Sequence, residues 1–569
     1  MTVTDVPASN PAFPVHWDDP ADAYVTYTTD MMHNPDPMSP LQQTLQPSTF
    51  YGWQKAMREF GMPFKAMHVR FQNFYQYDRV EMIEPASPEE AKAGGEALEA
   101  TMKREVGSLA DRWNDEHLPR TRQIIDRFIA IERDSASAPL ADIASMLGEF
   151  EEIRAELWTI HFRIVVPMML GMQIYDELYT DLFGGTEADA HVLLGGRLTR
   201  SVAAGIGLSD LAANARTAGL DRLMIETPLD SLIQQLRMSE DGRAFLDDLG
   251  RYLDEFGYRS DLFDIMTPTW RENPLIPLST VRWYLVNGFN ARGDHDAKAH
   301  AADEALDAAR GRLASYPEPV RQQFEAMVAA ARVAAALQED HNFYIDQHSV
   351  AWTRLLFLQV GKRLVSAGVL ELPDDIFMLR LDEIRDLLGS PISDSNPRQT
   401  RATVAERRAG MEHARTLTPP PFLGPPPEAP TEDNVIARGM GNFWGLPPRP
   451  AEAPGQLMGN AGSRGVATGE AFLARNLSEA TALQPGQILV AMTTMPAWTP
   501  FFGVAAAIVT ETGGPLSHCA VVAREYGIPA VVGAAGALAV VPRGRPVVVD
   551  GARGTVSQVV AAARETVEP

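Results

Sequence analysis

The residues best suited to chemistry lie in Thr512-Gly513-Gly514-Pro515-Leu516-Ser517-His518-Cys519. Just upstream, residues 504–509 are Val, Ala and Ile and read as a buried strand. The glycines and Pro515 break it. Ser517 suits an N-cap, an apolar, Ala-rich helical stretch runs to Tyr526, and Gly527 with Pro529 beyond it marks the stop. Val531 and Val532 begin a second strand. The spacing thus predicts strand, glycine turn, short helix, strand, with His518 on the first helical turn. A helix N-terminus presents unpaired N–H groups and partial positive charge, so it attracts phosphate and disfavours the imidazolium. Thr512, Gly513, Gly514 and Ser517 are the candidate phosphate-binding residues, since glycine lets a phosphate donor approach the backbone closely. His518 then either accepts and holds a phosphoryl group or caps a surface helix. Cys519, the single cysteine, is either a redox neighbour or a small packing residue.

A second set lies in a long helical pattern. His341 and His348 stand seven residues apart and share a face, with Tyr344 between them. Polar groups in an otherwise Ala-, Val- and Leu-rich helix need partners or a wet cavity. Either histidine is a candidate general base for a substrate hydroxyl, with Tyr344 and His348 as candidate substrate contacts. His161, in Trp158-Thr159-Ile160-His161-Phe162-Arg163, is a third candidate base. Each reads equally as a satisfied bundle histidine. Metal-binding pairs on a helix favour i, i+4, so no metal site is expected from this spacing. Arg70, Phe74 and Tyr75 fall in an aromatic-rich stretch, 64–83, whose period fits a strand pair or a helix. Such a cluster is core, or it lines a pocket for a flat, apolar substrate. His33, among prolines, reads as a turn histidine.

The elements that must position these groups follow from the whole chain. Its 569 residues are too many for one core, so several domains are expected. With 45% hydrophobic and 22% charged residues it is ordinary for a soluble protein. No apolar run reads as a membrane span, no basic-then-apolar leader opens it, and one cysteine fits a reducing cytoplasm. A net charge of −24 argues against nucleic acid as a partner. Residues 457–569 hold seven Arg, no Lys and seven Asp plus Glu, so 7 − 7 = 0 and the whole excess lies in the first 456. A neutral domain on an acidic body is compatible with mobility.

Residues 1–50 read as an ordered but irregular arm in which Trp17, Tyr24 and Tyr27 need somewhere to pack. Ser87-Pro88-Glu89-Glu90 is a capping box with Pro at the first helical position. Amphipathic patterns then cover 88–133, 141–182, 188–219, 229–257 and 298–371, which predicts a helical bundle. A short strand at 376–379 and a helix from Asp382 follow. Residues 417–456 are a proline-rich linker able to span up to about 100 Å. The expected architecture is a large, mostly α-helical substrate domain (1–416), the linker (417–456) and a small α/β domain (457–569).

The stretch Gly-Gly-x-x-Ser-His-x-Ala-x-x-Ala-Arg-Glu-x-Gly-Ile-Pro-Ala-Val-Val-Gly, from Gly513 to Gly533, resembles the phosphohistidine motif of the PEP-utilising enzymes. Gly462–Gly469, Pro485–Val490 and Pro496–Pro500 are also similar to that family's swivelling domain. The resemblance implies a phosphorylated His518 in an α/β domain that commutes between two sites. Gly257-Tyr258-Arg259 followed by Pro268-Thr269-Trp270 resembles a motif in the helical domains of the rifampicin phosphotransferase group, which implies Arg259 as a fork for phosphate and Trp270 as a substrate contact. Residues 367–384 are similar to the same group. Relatives charge their histidine on an ATP-grasp domain or from PEP on a barrel. Neither is found here: no Gly-x-x-x-x-Gly-Lys-[Ser/Thr] loop occurs, and the six lysines are scattered. The organisation is most similar to the split phenol and acetovanillone dikinases and phenylphosphate synthase. That implies ATP and Mg²⁺ on a partner subunit and a small aromatic hydroxyl compound as acceptor. A rifampicin-type antibiotic phosphotransferase and a non-catalytic phosphocarrier are the alternatives.

Overall fold

The computed structural model describes residues 12–558 except 186, 261, 392–395, 427–440, 442–444, 446–449, 452, 454, 496 and 497. Most of the expected linker, and the Pro496-Ala497 pair of the family-like segment, thus lie outside the described residues. The helices used below are α1 (Pro40–Phe60), α2 (Pro88–Gly107), α3 (Leu118–Ser135), α4 (Leu140–Phe183), α5 (Arg200–Thr217), α6 (Glu240–Phe256), α7 (Leu275–Asn287), α8 (Ala291–Leu313), α9 (Glu318–His341), α10 (His348–Ser366), α11 (Pro397–Ala414) and α12 (His518–Tyr526). The chain divides into two compact units that are discontinuous in sequence. One comprises Met1–Leu170, Asp254–Asn273 and Leu337–Asp433; the other comprises Gly171–Leu253, Pro274–Ala336 and Asn434–Pro569. This grouping differs from the linear division read from the sequence, because part of the helical region belongs with the α/β domain.

The first unit combines helices with a four-stranded antiparallel sheet. Its strands β1 (Tyr27–Thr29), β2 (Phe64–Gln72), β3 (Tyr75–Met82) and β4 (Phe422–Leu423) lie in the order β2-β3-β1-β4. The ambiguous aromatic stretch is therefore a hairpin, turned at Asn73 and Phe74, both with positive φ (49° and 68°). Alternate side chains of β3 enter one core: Tyr75 and Tyr77 pack with Phe13, Tyr27, Ala414 and Leu423. Trp17 packs on Tyr27, as the arm required, but Tyr24 is 51% exposed. The arm also ends sooner than expected, in α1, which tolerates Pro47. At α2 the Ser87 hydroxyl accepts the Glu90 N–H at 3.2 Å, while the Glu90 carboxylate reaches the Ala86 N–H rather than that of Ser87.

Gly52 allows α1 to lie directly on α4: a β-carbon there would stand 2.6 Å from the backbone of Trp158 and Thr159. Arg154 of α4, 2% exposed, ties the two by donating to the Leu45 carbonyl (2.9 Å) and the Thr49 hydroxyl (3.1 Å). Contrary to the sequence reading, α4 contains a window apolar and long enough to cross a membrane, but 67% of that window is buried inside the protein, as befits a core helix. Two further corrections concern the 298–371 pattern and its sequel. α9 passes into α10 through a π-helical turn, Asn342–Gln347. Residues 376–379 do not form a strand; Pro373–Met378 is a 3₁₀ turn, and the helix that follows spans Leu381–Gly389.

The second unit holds an eight-stranded mixed sheet of β5 (Gln456–Met458), β6 (Asn460–Ser463), β7 (Val466–Ala474), β8 (Ile488–Ala491), β9 (Ala507–Thr510), β10 (Ala530–Val532), β11 (Pro546–Asp550) and β12 (Thr555–Gln558). Their order is β5-β12-β11-β7-β8-β9-β10-β6, with β7 to β10 mutually parallel. β8 and β9 are fully buried, which explains their uninterrupted apolar sequences. Helix α12 connects β9 to β10. It packs near α5 and α7 of the same unit, where the hydroxyls of Tyr526 and of the buried Tyr284 both lie beside Gly205.

Candidate functional site

β9 ends at Thr510, the chain turns through Gly513 at φ 95°, and α12 begins at His518. Ser517 occupies the N-cap position with extended backbone (φ −68°, ψ 157°), but its hydroxyl does not cap the helix as expected. That hydroxyl is instead buried without a hydrogen-bond partner, immediately before His518. An orphan hydroxyl of this kind is costly unless a ligand satisfies it. The glycine turn is held from several directions. The Thr512 hydroxyl donates to the Met492 carbonyl (3.1 Å), and the Thr512 carbonyl accepts from the Thr510 hydroxyl (2.9 Å) and the Gly533 N–H (3.2 Å). Arg524, one turn before the helix ends, donates to the carbonyls of Gly462 (2.7 Å) and Pro515 (2.8 Å). At the other end Gly527 takes the left-handed cap (φ 64°). His518 itself is half-buried, with the Phe502 ring edge-on at 6.3 Å. Burial pushes the Cys519 thiol up to about 12, so it remains a neutral packing group.

The other candidates converge in the first unit, around the π-helical turn. That turn inserts one residue into the helical repeat and carries Asp346 to the same side as His341. His161 of α4 places Nδ1 2.7 Å from Asp346 Oδ1, and His341 Nε2 lies 3.8 Å from Asp346 Oδ2. The two imidazole rings are 5.1 Å apart. His341 Nδ1 donates to the Leu337 carbonyl at 2.6 Å, which leaves Nε2 as the lone-pair nitrogen. Burial lowers the pKa of His341 below the ordinary imidazole value against the pull of Asp346, and the nearby His161 adds to that lowering. Asp346 had no place in the sequence reading; only the π turn brings it in. His33 is the turn histidine expected: its backbone N–H and its Nδ1 both donate to the Asp30 carboxylate, at 3.1 and 2.8 Å. Burial opposes its charge, but Asp30 and then Asp346 outweigh this and raise its pKa.

An aromatic wall adjoins these groups. Arg259, 1% exposed, lies over the rings of Trp270 (5.6 Å) and Phe343 (5.9 Å). The backbone N–H of Trp270 donates to the Arg259 carbonyl at 2.8 Å, so the two backbones are fixed as a pair. His348 packs on Tyr258 (5.0 Å) and Phe343 (5.3 Å), and Tyr344 lies edge-on to Phe343 (5.1 Å) beneath Arg122. Arg259, Trp270, Tyr344 and His348 thus gather around Phe343, and His161 and His341 around Asp346, both on the π-helical turn. Arg70, Phe74 and Tyr75 are placed elsewhere. Arg70 grips Asp22 with two nitrogens (2.6 and 3.2 Å), the Tyr75 hydroxyl donates to the Ala414 carbonyl (3.3 Å), and Phe74 packs on the same core. Their positions are those of the core alternative, not of a substrate pocket.

His518 thus opens a short helix after a glycine turn, within a mixed sheet. Residues 483–554 match the family described as PEP-utilising enzyme, mobile domain, and residues 161–339 match the rifampicin phosphotransferase fourth domain. Over these two stretches the chain is similar to the PEP-utilising enzymes and to rifampicin phosphotransferase. It is 34% identical over 568 residues to chondramide synthase cmdD of Chondromyces crocatus, covering 96% of this chain and 14% of that protein. It is 27% identical over 532 residues to the uncharacterized phosphotransferase YvkC of Bacillus subtilis, covering 92% of this chain and 60% of that one. It is 30% identical over 311 residues to the rifampicin phosphotransferase of Streptomyces sviceus, covering 53% and 33%. The chain therefore spans only part of the length of each of these relatives.

Proposed function

We propose that this chain is the phosphohistidine-carrying and acceptor-binding part of a dikinase-type phosphotransferase. The observation that carries the reading is the buried, unpartnered Ser517 hydroxyl beside His518 at the N-terminus of α12. No Gly-x-x-x-x-Gly-Lys-[Ser/Thr] loop occurs in the sequence, and Lys65, Lys103 and Lys298 are each paired with a carboxylate, on the hairpin or a helix. Charging of His518 is therefore assigned to an ATP-grasp-type partner subunit that binds Mg·ATP, with AMP and inorganic phosphate released as in the related dikinases.

Transfer to the acceptor is this chain's task. The acceptor's hydroxyl oxygen attacks phosphorus as the N–P bond to His518 breaks, and the imidazole leaves with its electron pair. The hydroxyl proton is shed beside the His161–His341–Asp346 cluster and passes to the imidazole nitrogen that loses the phosphoryl group. Arg259, over the Trp270 and Phe343 rings, offers a fixed positive charge near the aromatic wall. A small phenol suits this wall, and its hydroxyl, with a pKa of about 10, needs only modest assistance. The match of residues 161–339 favours a second reading, a bulkier rifampicin-type hydroxyl acceptor.

The test is to incubate the full chain with Mg·ATP, with and without an ATP-grasp partner, and to measure acid-labile phosphate on His518 by mass spectrometry. Label only with the partner is the expected result, followed by transfer to one of a panel of phenols or rifamycins. Absence of label under every donor condition, PEP included, overturns the proposal. A labelled chain that yields no small-molecule product leaves a phosphocarrier instead.

A further inference from the structure

We infer that His161, His341 and Asp346 bind a divalent first-row transition cation. The sequence spacing argued against a metal because His341 and His348 are seven apart. The structure supplies the other ligands from elsewhere: His161 from α4 and Asp346 from the π-helical turn, with the three donor atoms all within 4.8 Å of one another. Ligand atoms at about 2.0–2.1 Å on one tetrahedral ion stand roughly 3.4 Å apart. The separations of 2.7 and 3.8 Å bracket that value.

The orientation of the donors points the same way. His161 Nδ1 and Asp346 Oδ1 are both sealed from solvent, and although they are 2.7 Å apart neither makes a hydrogen bond of acceptable geometry. Two buried polar atoms this close, neither with a hydrogen bond, are costly without an occupant. The supporting contacts are those of a ligand set. Donation from His341 Nδ1 to Leu337 fixes the tautomer that turns the Nε2 lone pair inward. The Asn342 amide donates to Asp346 Oδ2 (3.2 Å), and Gln347 in turn holds Asn342 (2.7 Å). Buried Glu339 adds negative charge nearby. Two imidazoles with one carboxylate select zinc, manganese, iron or cobalt over magnesium and calcium, which prefer oxygen. Three protein ligands leave a position open for an acceptor oxygen. The inference concerns the acceptor site proposed above, but it stands on ligand geometry alone.

The test uses the full chain, stripped with a chelator and titrated with Co²⁺ as a spectroscopic probe and with Zn²⁺ by equilibrium dialysis. One ion per chain is expected. His341→Gln and Asp346→Asn should each weaken binding by more than about 10-fold. His300→Ala, which removes an exposed His–Glu pair able to hold surface metal, and His518→Ala should leave it unchanged. No stoichiometric binding, or binding indifferent to His341→Gln and Asp346→Asn, overturns the inference. Should those variants fail to fold, the unaltered chain still decides: equimolar Zn²⁺ must raise its Tm, and an unmoved Tm overturns the inference. A chain that takes label on His518 but binds no cation sinks this inference alone. A chain that binds the cation but never takes label sinks the transfer reading alone.

Discussion

Arg524 reaches back along its own helix to the Pro515 carbonyl, 2.8 Å away and three residues before His518, while also holding the Gly462 carbonyl of β6. One side chain thereby fixes the glycine turn against both the helix and the sheet edge. Both bonds leave one nitrogen, Nη1, and a lysine's shorter stem does not carry its ammonium to the same point. Arg524→Lys should slow phosphorylation of His518 by about 10- to 100-fold, since misplacement of a reacting group by about 1 Å has that scale of effect. Measured by phosphate incorporation, an unchanged rate would show that the turn holds its shape without Arg524.

His518→Ala removes the only group proposed to carry phosphate while leaving the first unit untouched. The expected outcome is complete loss of acid-labile label and of product, with acceptor binding kept within about twofold by calorimetry. Product formed by the variant at the parent rate would mean direct transfer without a histidine intermediate.

Asp78 provides a pH-dependent test of the first unit. Its Oδ1 is sealed from solvent without a hydrogen bond, while Oδ2 accepts from Gln76 at 2.8 Å. Burial raises its carboxyl to about 8, from an ordinary 3.8, against the opposing Gln76 hydrogen bond. Across that window the folded chain keeps a proton that the unfolded chain has released. Folding is therefore favoured least at the upper end, with a slope of up to about 1.4 kcal/mol per pH unit from this group. Asp78→Asn, neutral at every pH, should gain stability relative to the parent as pH rises from 5 to 8. Chemical denaturation at several pH values measures this; a constant difference would refute the buried, protonated carboxyl.

The strand–turn–helix unit around His518 was legible in the sequence because everything that shapes it is local. Strand, glycine turn, helix and left-handed Gly527 follow one another within about 25 residues, and the residue types suffice. The failures were of side-chain direction and of non-local packing. Ser517 sits where an N-cap belongs, but its hydroxyl is turned elsewhere. Asp346 gained its place only because a π turn shifted the helical register by one residue, which no 3.6-residue pattern reveals. Arg70, Phe74 and Tyr75 were readable as core or as pocket, and the partners that decide, Asp22 and Ala414, are distant in sequence. Conversely, Arg259 and Trp270 could be paired from a motif, yet their stacking on Phe343 could not.

That stacking yields the most discriminating substitution in the acceptor site. Arg259 is buried, and its guanidinium carbon lies over the Trp270 and Phe343 rings, 5.6 and 5.9 Å from their centroids. A planar, delocalised cation keeps its charge there at lower desolvation cost than an ammonium does. Arg259→Lys retains the formal charge but loses the stacking, so the charge is no longer held where the transferring phosphoryl group needs it. If Arg259 serves transfer, phosphorylation of His518 should be unaffected while the rate of phosphoryl passage to the acceptor falls by about 10²-fold, a typical loss for one preorganised charge contact. Single-turnover chase of the labelled chain with acceptor separates the two steps, and Tm reports on packing. A lowered Tm with an unchanged chase rate would make Arg259 a packing residue only; a slowed chase at unchanged Tm would place its charge in the transfer step.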